Sequence, residues 1–165
     1  MNILSRSLQS LTVLFAFLSI TFAQHFNIEI APTGESTLFI FTTSIASLEV
    51  DDEVGLFDAD GIIDDQGNIG EVLVGAGVWT GAQLEVTAIG SVDLSDFGGP
   101  VLPGYNGGTM ALKVWDTSEG CEYDATYGTS FGSGSFNGLF SNIISISTTG
   151  DPVCDDDGGG GGGGG

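Results

Sequence analysis

The chain has 165 residues, 22 of them Asp or Glu against 2 Lys or Arg, and a formal net charge of −20. Such a chain is repelled by nucleic-acid phosphates and by anionic lipid surfaces, which excludes those two partner classes. It holds one histidine and two cysteines, too few for most His- and Cys-based catalytic or metal sites.

The first 23 residues, MNILSRSLQSLTVLFAFLSITFA, combine one cation (Arg6), an apolar run from about Leu11 to Phe22 and a small residue, Ala23, at a cleavage point. This pattern predicts a secretory signal peptide. A transmembrane anchor needs about 18 or more apolar residues, and this run is shorter. No transmembrane anchor is therefore expected, and the chain is read as secreted, released or held at the cell surface. Cleavage after Ala23 leaves Gln24 first, with no Cys to be lipidated, and Lys113 as the sole remaining Lys or Arg.

In the part that remains, Phe26, Ile28 and Ile30 alternate with polar residues and predict a half-buried first strand ending at Ala31-Pro32-Thr33-Gly34. Thr37 to Thr42, TLFIFT, is apolar on both faces and suits a central strand. Ser44 to Val50 fits a strand or a short helical turn. Val54 to Phe57 reads as a buried strand between two acidic turns, Asp51-Asp52-Glu53 and Asp58-Ala59-Asp60-Gly61. A loop over Ile62 to Gly70 follows, and Glu71 to Val74 resumes strand patterning. Thr80-Gly81 predicts a tight hairpin turn joining Ala76–Trp79 to Gln83–Ile89.

Ser91 to Gly108 is a long connection rich in Gly and Pro, the kind of loop that carries function. Met110 to Asp116 and Cys121 to Tyr127 read as strands across the turn Asp116–Gly120. Gly128 to Gly138 reads as loop, and Leu139 to Ser147 as a last strand. No window beyond the leader carries a 3.6-residue apolar stripe. Eight or nine short strands with turns between them predict an all-β fold, a β-sandwich of Ig-like or jelly-roll-like type, with a barrel as the alternative. The expected organisation is a signal peptide over 1–23, a sandwich domain over 24–149 and an acidic, Gly-rich tail over 150–165. Gly158 to Gly165 is an unbroken glycine run, which acts as a flexible linker. It suits either a piece of a longer multidomain protein or a soluble extension.

Cys121 and Cys154 form an even count in an exported chain and predict one disulfide. His25 would have to serve any Ser-His-Asp or Cys-His site from a chain end that is expected to be mobile, and zinc or copper clamps lack their second imidazole. Paired carboxylates could serve a glycosidase, but with 22 acids many pairs lie close by chance. No enzyme activity is expected.

The oxygen-rich loop supplies the metal candidates Asp58, Asp60, Asp64, Asp65, Asn68 and Glu71, because calcium takes six to eight oxygens from acidic, Gly-containing loops. Asp58-Ala59-Asp60-Gly61 is similar to the opening of an EF-hand loop, but Ile62 and Ile63 break that pattern. A calcium site and a solvated connection between strands both fit, and no cofactor is required. Among the aromatics, Trp79 and Trp115 sit in apolar strand patterns and read as core. Tyr105, in the long connection, is the aromatic expected to be exposed and to bind a ligand such as a glycan.

The segments LEVDDEVGLFDADG, EVLVGAGVWTGAQLEVTAIG, FGGPVLPG and ALKVWDTSEGCEYDATY with GSFNGLF resemble a repeat domain of secreted, surface-associated multidomain proteins of marine bacteria, including type IX secretion cargo. The resemblance spans roughly Phe26 to Ile146. It implies an extracellular β-sandwich that serves as a structural or adhesion-type module beside neighbouring protein modules, and it supplies no catalytic residues. A C-terminal sorting domain is not visible in this sequence. A calcium-dependent carbohydrate-binding module is the alternative function.

Overall fold

A computed structural model describes residues 24–137 and 139–155. The leader over residues 1–23 and the glycine run lie outside the described residues. The fold is all-β, as the patterning predicts. In chain order the strands are β1 (Ser36–Phe41), β2 (Glu53–Ile62), β3 (Ile69–Val78), β4 (Leu84–Ile89), β5 (Val92–Asp93), β6 (Val101–Leu102), β7 (Gly108–Thr109), β8 (Ala111–Asp116), β9 (Cys121–Phe131), β10 (Ser135–Phe136) and β11 (Phe140–Cys154). One turn of 3₁₀ helix, Ser95–Phe97, separates β5 from β6.

Seven of these strands form one sheet in the order β3-β2-β8-β9-β11-β1-β4; β5 with β6 and β7 with β10 make small two-stranded pairs. Only β1 and β11 run parallel, and the other strand pairings are antiparallel. β1 is an interior strand because both of its faces are apolar. Phe39 and Phe41 point into the core, where they meet Val54, Leu56, Val74, Val86 and Ile143. Trp79 belongs to this core, as expected.

The sheet curls until its two outermost strands, β3 and β4, pack against each other. Glycine permits this approach: a Cβ on Gly75 would stand 3.0 Å from Val86, and one on Gly77 would stand 3.1 Å from Leu84. The expected hairpin across Thr80-Gly81 is therefore not formed. β3 hydrogen-bonds to β2, β4 pairs along its whole length with β1, and the chain crosses from one end of the sheet to the other.

Four further expectations change. Phe26 to Ile30 alternates in burial but joins no ladder. Asp58-Ala59-Asp60-Gly61 is not a turn: β2 runs through it with a register irregularity between Asp58 and Gly61, because the turn chemistry sits downstream at Asp64–Asn68. Ser44 to Val50 is neither strand nor helix, and it closes the core with Ile45 and Leu48. The Gly128–Gly138 stretch is strand as far as Phe131, paired with β11, and again at β10, paired with β7, and β11 itself continues past Thr149 to Cys154. The long connection is stitched to the sheet through bridges Ile62–Gly104 and Gly90–Tyr105.

Candidate functional site

Period-2 geometry divides β2 and β8 into two faces. Val54, Leu56, Leu112 and Val114 point into the core. Glu53, Gly55 and Phe57 therefore project outward, directly opposite Trp115, Lys113 and Ala111, and Glu122 of β9 lies beside Trp115. An outer face with a Trp, a Phe, the one Lys and several carboxylates would ordinarily be open to water. Here Glu53 is only 6% exposed, because His25 and Phe26 of the N-terminal segment, an arm from Gln24 to Ile30, lie on it.

Three contacts hold the start of this arm, and Ile30 at its end packs against the core. The two carboxylate oxygens of Glu53 accept the backbone N–H of His25 at 2.9 Å and of Phe26 at 3.0 Å. Phe26, 4% exposed, packs edge-on against Phe57 at 5.7 Å and lies over Gly55, where any Cβ would stand 2.9 Å from its ring. The His25 ring stacks on Trp115 with centroids 3.8 Å apart and nearly parallel planes, while Nε2 lies 3.0 Å from Glu122 Oε2. His25 is thus an anchored residue, not the mobile end expected from its position. Trp115 is half-buried on the outer face, not in the core.

Lys113 completes the surface. Its Nζ stands 3.3 Å from Glu71 and 3.3 Å from Glu122, and 4.6 Å above the Phe57 ring. Partial burial disfavours its ammonium, but the two carboxylates outweigh this and raise its pKa above the ordinary value. The ammonium therefore serves as a fixed cation, not as a base or nucleophile near neutral pH.

The six oxygen-bearing residues of the acidic loop are held in separate places. Asp58, 4% exposed, accepts the N–H of Asp60 at 3.1 Å and of Asn106 at 2.7 Å, which ties β2 to the long connection. Asp60 lies exposed on the strand. Asp64 caps the turn by accepting from the Asn68 amide and from the N–H groups of Gln66 and Asn68, and these bonds lower its pKa. Asp65 accepts from the Gln66 amide, and Glu71 pairs with Lys113. Among the described residues no group of three or more His, Cys, Asp or Glu is placed to hold a metal ion.

Tyr105 is half-buried. Its ring stacks on Phe136 at 4.7 Å and its hydroxyl accepts from Thr37 at 3.0 Å, so it packs the connection onto the core. The exposed aromatic of that connection is Phe97, at 88%. Cys121 and Cys154 form the expected disulfide and sit directly opposite each other, so that β11 is locked to β9 where it ends.

Sequence reasoning missed the covered outer face. The alternation in Ala111–Asp116 carried the information, since Lys113 and Trp115 share a parity opposite to Leu112 and Val114. Among the described residues no helix is long and apolar enough to cross a membrane. In comparisons with known proteins, the chain matches no family model, no curated protein and no solved structure.

Proposed function

We propose that the chain is a secreted or cell-surface β-sandwich module with a structural or adhesion-type role and no catalysis, of the kind found as repeats in surface-associated bacterial proteins. The observation that carries this reading is the Cys121–Cys154 disulfide at the point where β11 ends, just before the acidic, glycine-rich stretch. A disulfide persists in an oxidising exterior and is rare in the cytosol. At this position it keeps the exit of the chain from peeling away from the sheet. The apolar leader, the acidic surface and the absence of a second histidine agree with an exported module that works by its surface.

The test is localisation joined to attachment. Antibody labelling and protease shaving of intact source cells should find the chain outside, with both cysteines oxidised, and loss of the gene should reduce attachment to surfaces or to neighbouring cells. A chain retained in the cytoplasm with free thiols would overturn the reading, and so would turnover of a polysaccharide or ester that a carboxylate substitution abolishes.

A further inference from the structure

We infer that the outer face of β2 and β8 is a peptide-binding groove, filled here by the chain's own Gln24–Ile30 arm, and that it accepts the same arm from a second copy. The groove is built entirely by the sheet: Glu53, Gly55 and Phe57 on β2, Lys113 and Trp115 on β8, and Glu122 on β9. Its recognition elements are those of a receptor for an extended peptide. Glu53 gathers two successive backbone N–H groups, Gly55 leaves room for one aromatic ring, and Trp115 with Glu122 reads the imidazole before it.

The arm itself has the properties of an exchangeable ligand. Among the described residues no backbone ladder bond joins it to the sheet; its backbone is held by the Glu53 side chain. It is tethered through Ala31-Pro32-Thr33-Gly34, in which Ala31, Pro32 and Gly34 are exposed and Gly34 has φ +98° with open space around it. Thr33 donates to the Gly90 carbonyl at 2.5 Å and marks where the arm leaves the body. A cleft of about 540 Å³ continues alongside the arm between Glu29, Ile30, Leu73 and Pro103, so the arm borders open space on that side.

A second copy presents the same arm to the same groove, so exchange in trans conserves every contact, that of Ile30 with the core included, and needs the arm to lift with Ile30 and the hinge to open. Exchange of an identical element is a route to dimers, or to chains of modules where the exchange does not close on itself. This goes beyond the proposed surface role and is tested independently of where the chain resides.

The experiment uses the chain from Gln24 onward and a fluorescently labelled peptide of sequence QHFNIEIA, followed by anisotropy. Phe26→Ala loosens the resident arm without touching the groove and should raise peptide affinity at least tenfold over the unsubstituted chain. His25→Ala, which removes the stack on Trp115 and the contact with Glu122 but leaves Phe26 in place, should raise it less. A peptide carrying Ala in place of its Phe should not bind. At high concentration the unsubstituted chain should form a dimer by light scattering that excess peptide dissolves. Failure of both variants to bind the peptide while they retain the native β spectrum overturns the groove. If Phe26→Ala unfolds the chain, the His25→Ala result alone decides. Peptide binding with no dimer that the peptide dissolves overturns the second copy as its occupant.

Discussion

Asp52 shows how one buried carboxylate organises a turn. It is 3% exposed, and its two oxygens accept the N–H of Glu49 at 2.7 Å and of Thr117 at 3.2 Å, which joins the approach to β2 with the turn after β8. Burial pushes its pKa up against the lowering effect of those donors. Asp52→Ala should therefore lower the unfolding free energy by about 2 kcal/mol, since two charge-assisted hydrogen bonds are lost, as denaturant titration would show. A second residue-scale prediction concerns alkaline pH. Tyr127 donates to the carbonyls of Met110 and Gly134, and burial raises its pKa; Lys113 is raised by Glu122 and Glu71 against its desolvation. Both groups hold their protons more tightly folded than unfolded. Their contribution is thus intact below about pH 10 and lost as pH climbs through the raised values. Thermal midpoints should fall above that pH, and less steeply in Tyr127→Phe.

Two elements depend on contacts that lie far apart in the chain. β11 ends in a stretch, Gly150 to Cys154, that is exposed along its length and is held by β9 and the disulfide. The sulfurs close a loop over a sequence separation of 33. In the chain-entropy account this contributes about 3 to 4 kcal/mol, so reduction should lower stability by that order and speed amide exchange in the end of β11 before the rest of the sheet. The long connection depends on Gly104, where a Cβ would stand 2.4 Å from the Gly90 carbonyl carbon and 2.6 Å from the Ser91 nitrogen. Both are backbone atoms and cannot yield cheaply. Gly104→Ala should lift the connection, lower stability by about 2 to 3 kcal/mol and accelerate chymotryptic cleavage after the exposed Phe97.

At the scale of the whole molecule, charge governs behaviour. A net charge of −20 repels itself in the compact state, so salt should raise the thermal midpoint by about 4 °C, the equivalent of roughly 1 kcal/mol. Calcium and magnesium at equal ionic strength should act alike if screening alone operates; a calcium-selective rise abolished by Asp60→Asn would instead identify the acidic loop as a metal site.

The fold class was legible in the sequence because alternation and turn residues are local properties: TLFIFT reads as an interior strand from its own two apolar faces, and the two cysteines pair across β9 and β11 as their even count suggested. Strand ends were less legible, since Asp58-Ala59-Asp60-Gly61 and Gly150 to Val153 carry turn residues yet lie inside strands as register irregularities, with pairing resumed at Gly61 and at Val153. Pairing was not legible at Thr80-Gly81, where the turn chemistry suits a hairpin but β1 competes for β4 and wins it along its whole length. The arm's site was the least legible. Glu53, Trp115 and Glu122 are distant from His25 in sequence, and only the register of three strands sets them side by side on one face. Composition and periodicity alone thus determined an acidic, disulfide-bonded all-β chain, because each is set residue by residue. Which strands meet, which face is covered and what covers it were decided by the tertiary structure, because those depend on competition among strands for hydrogen-bonding partners.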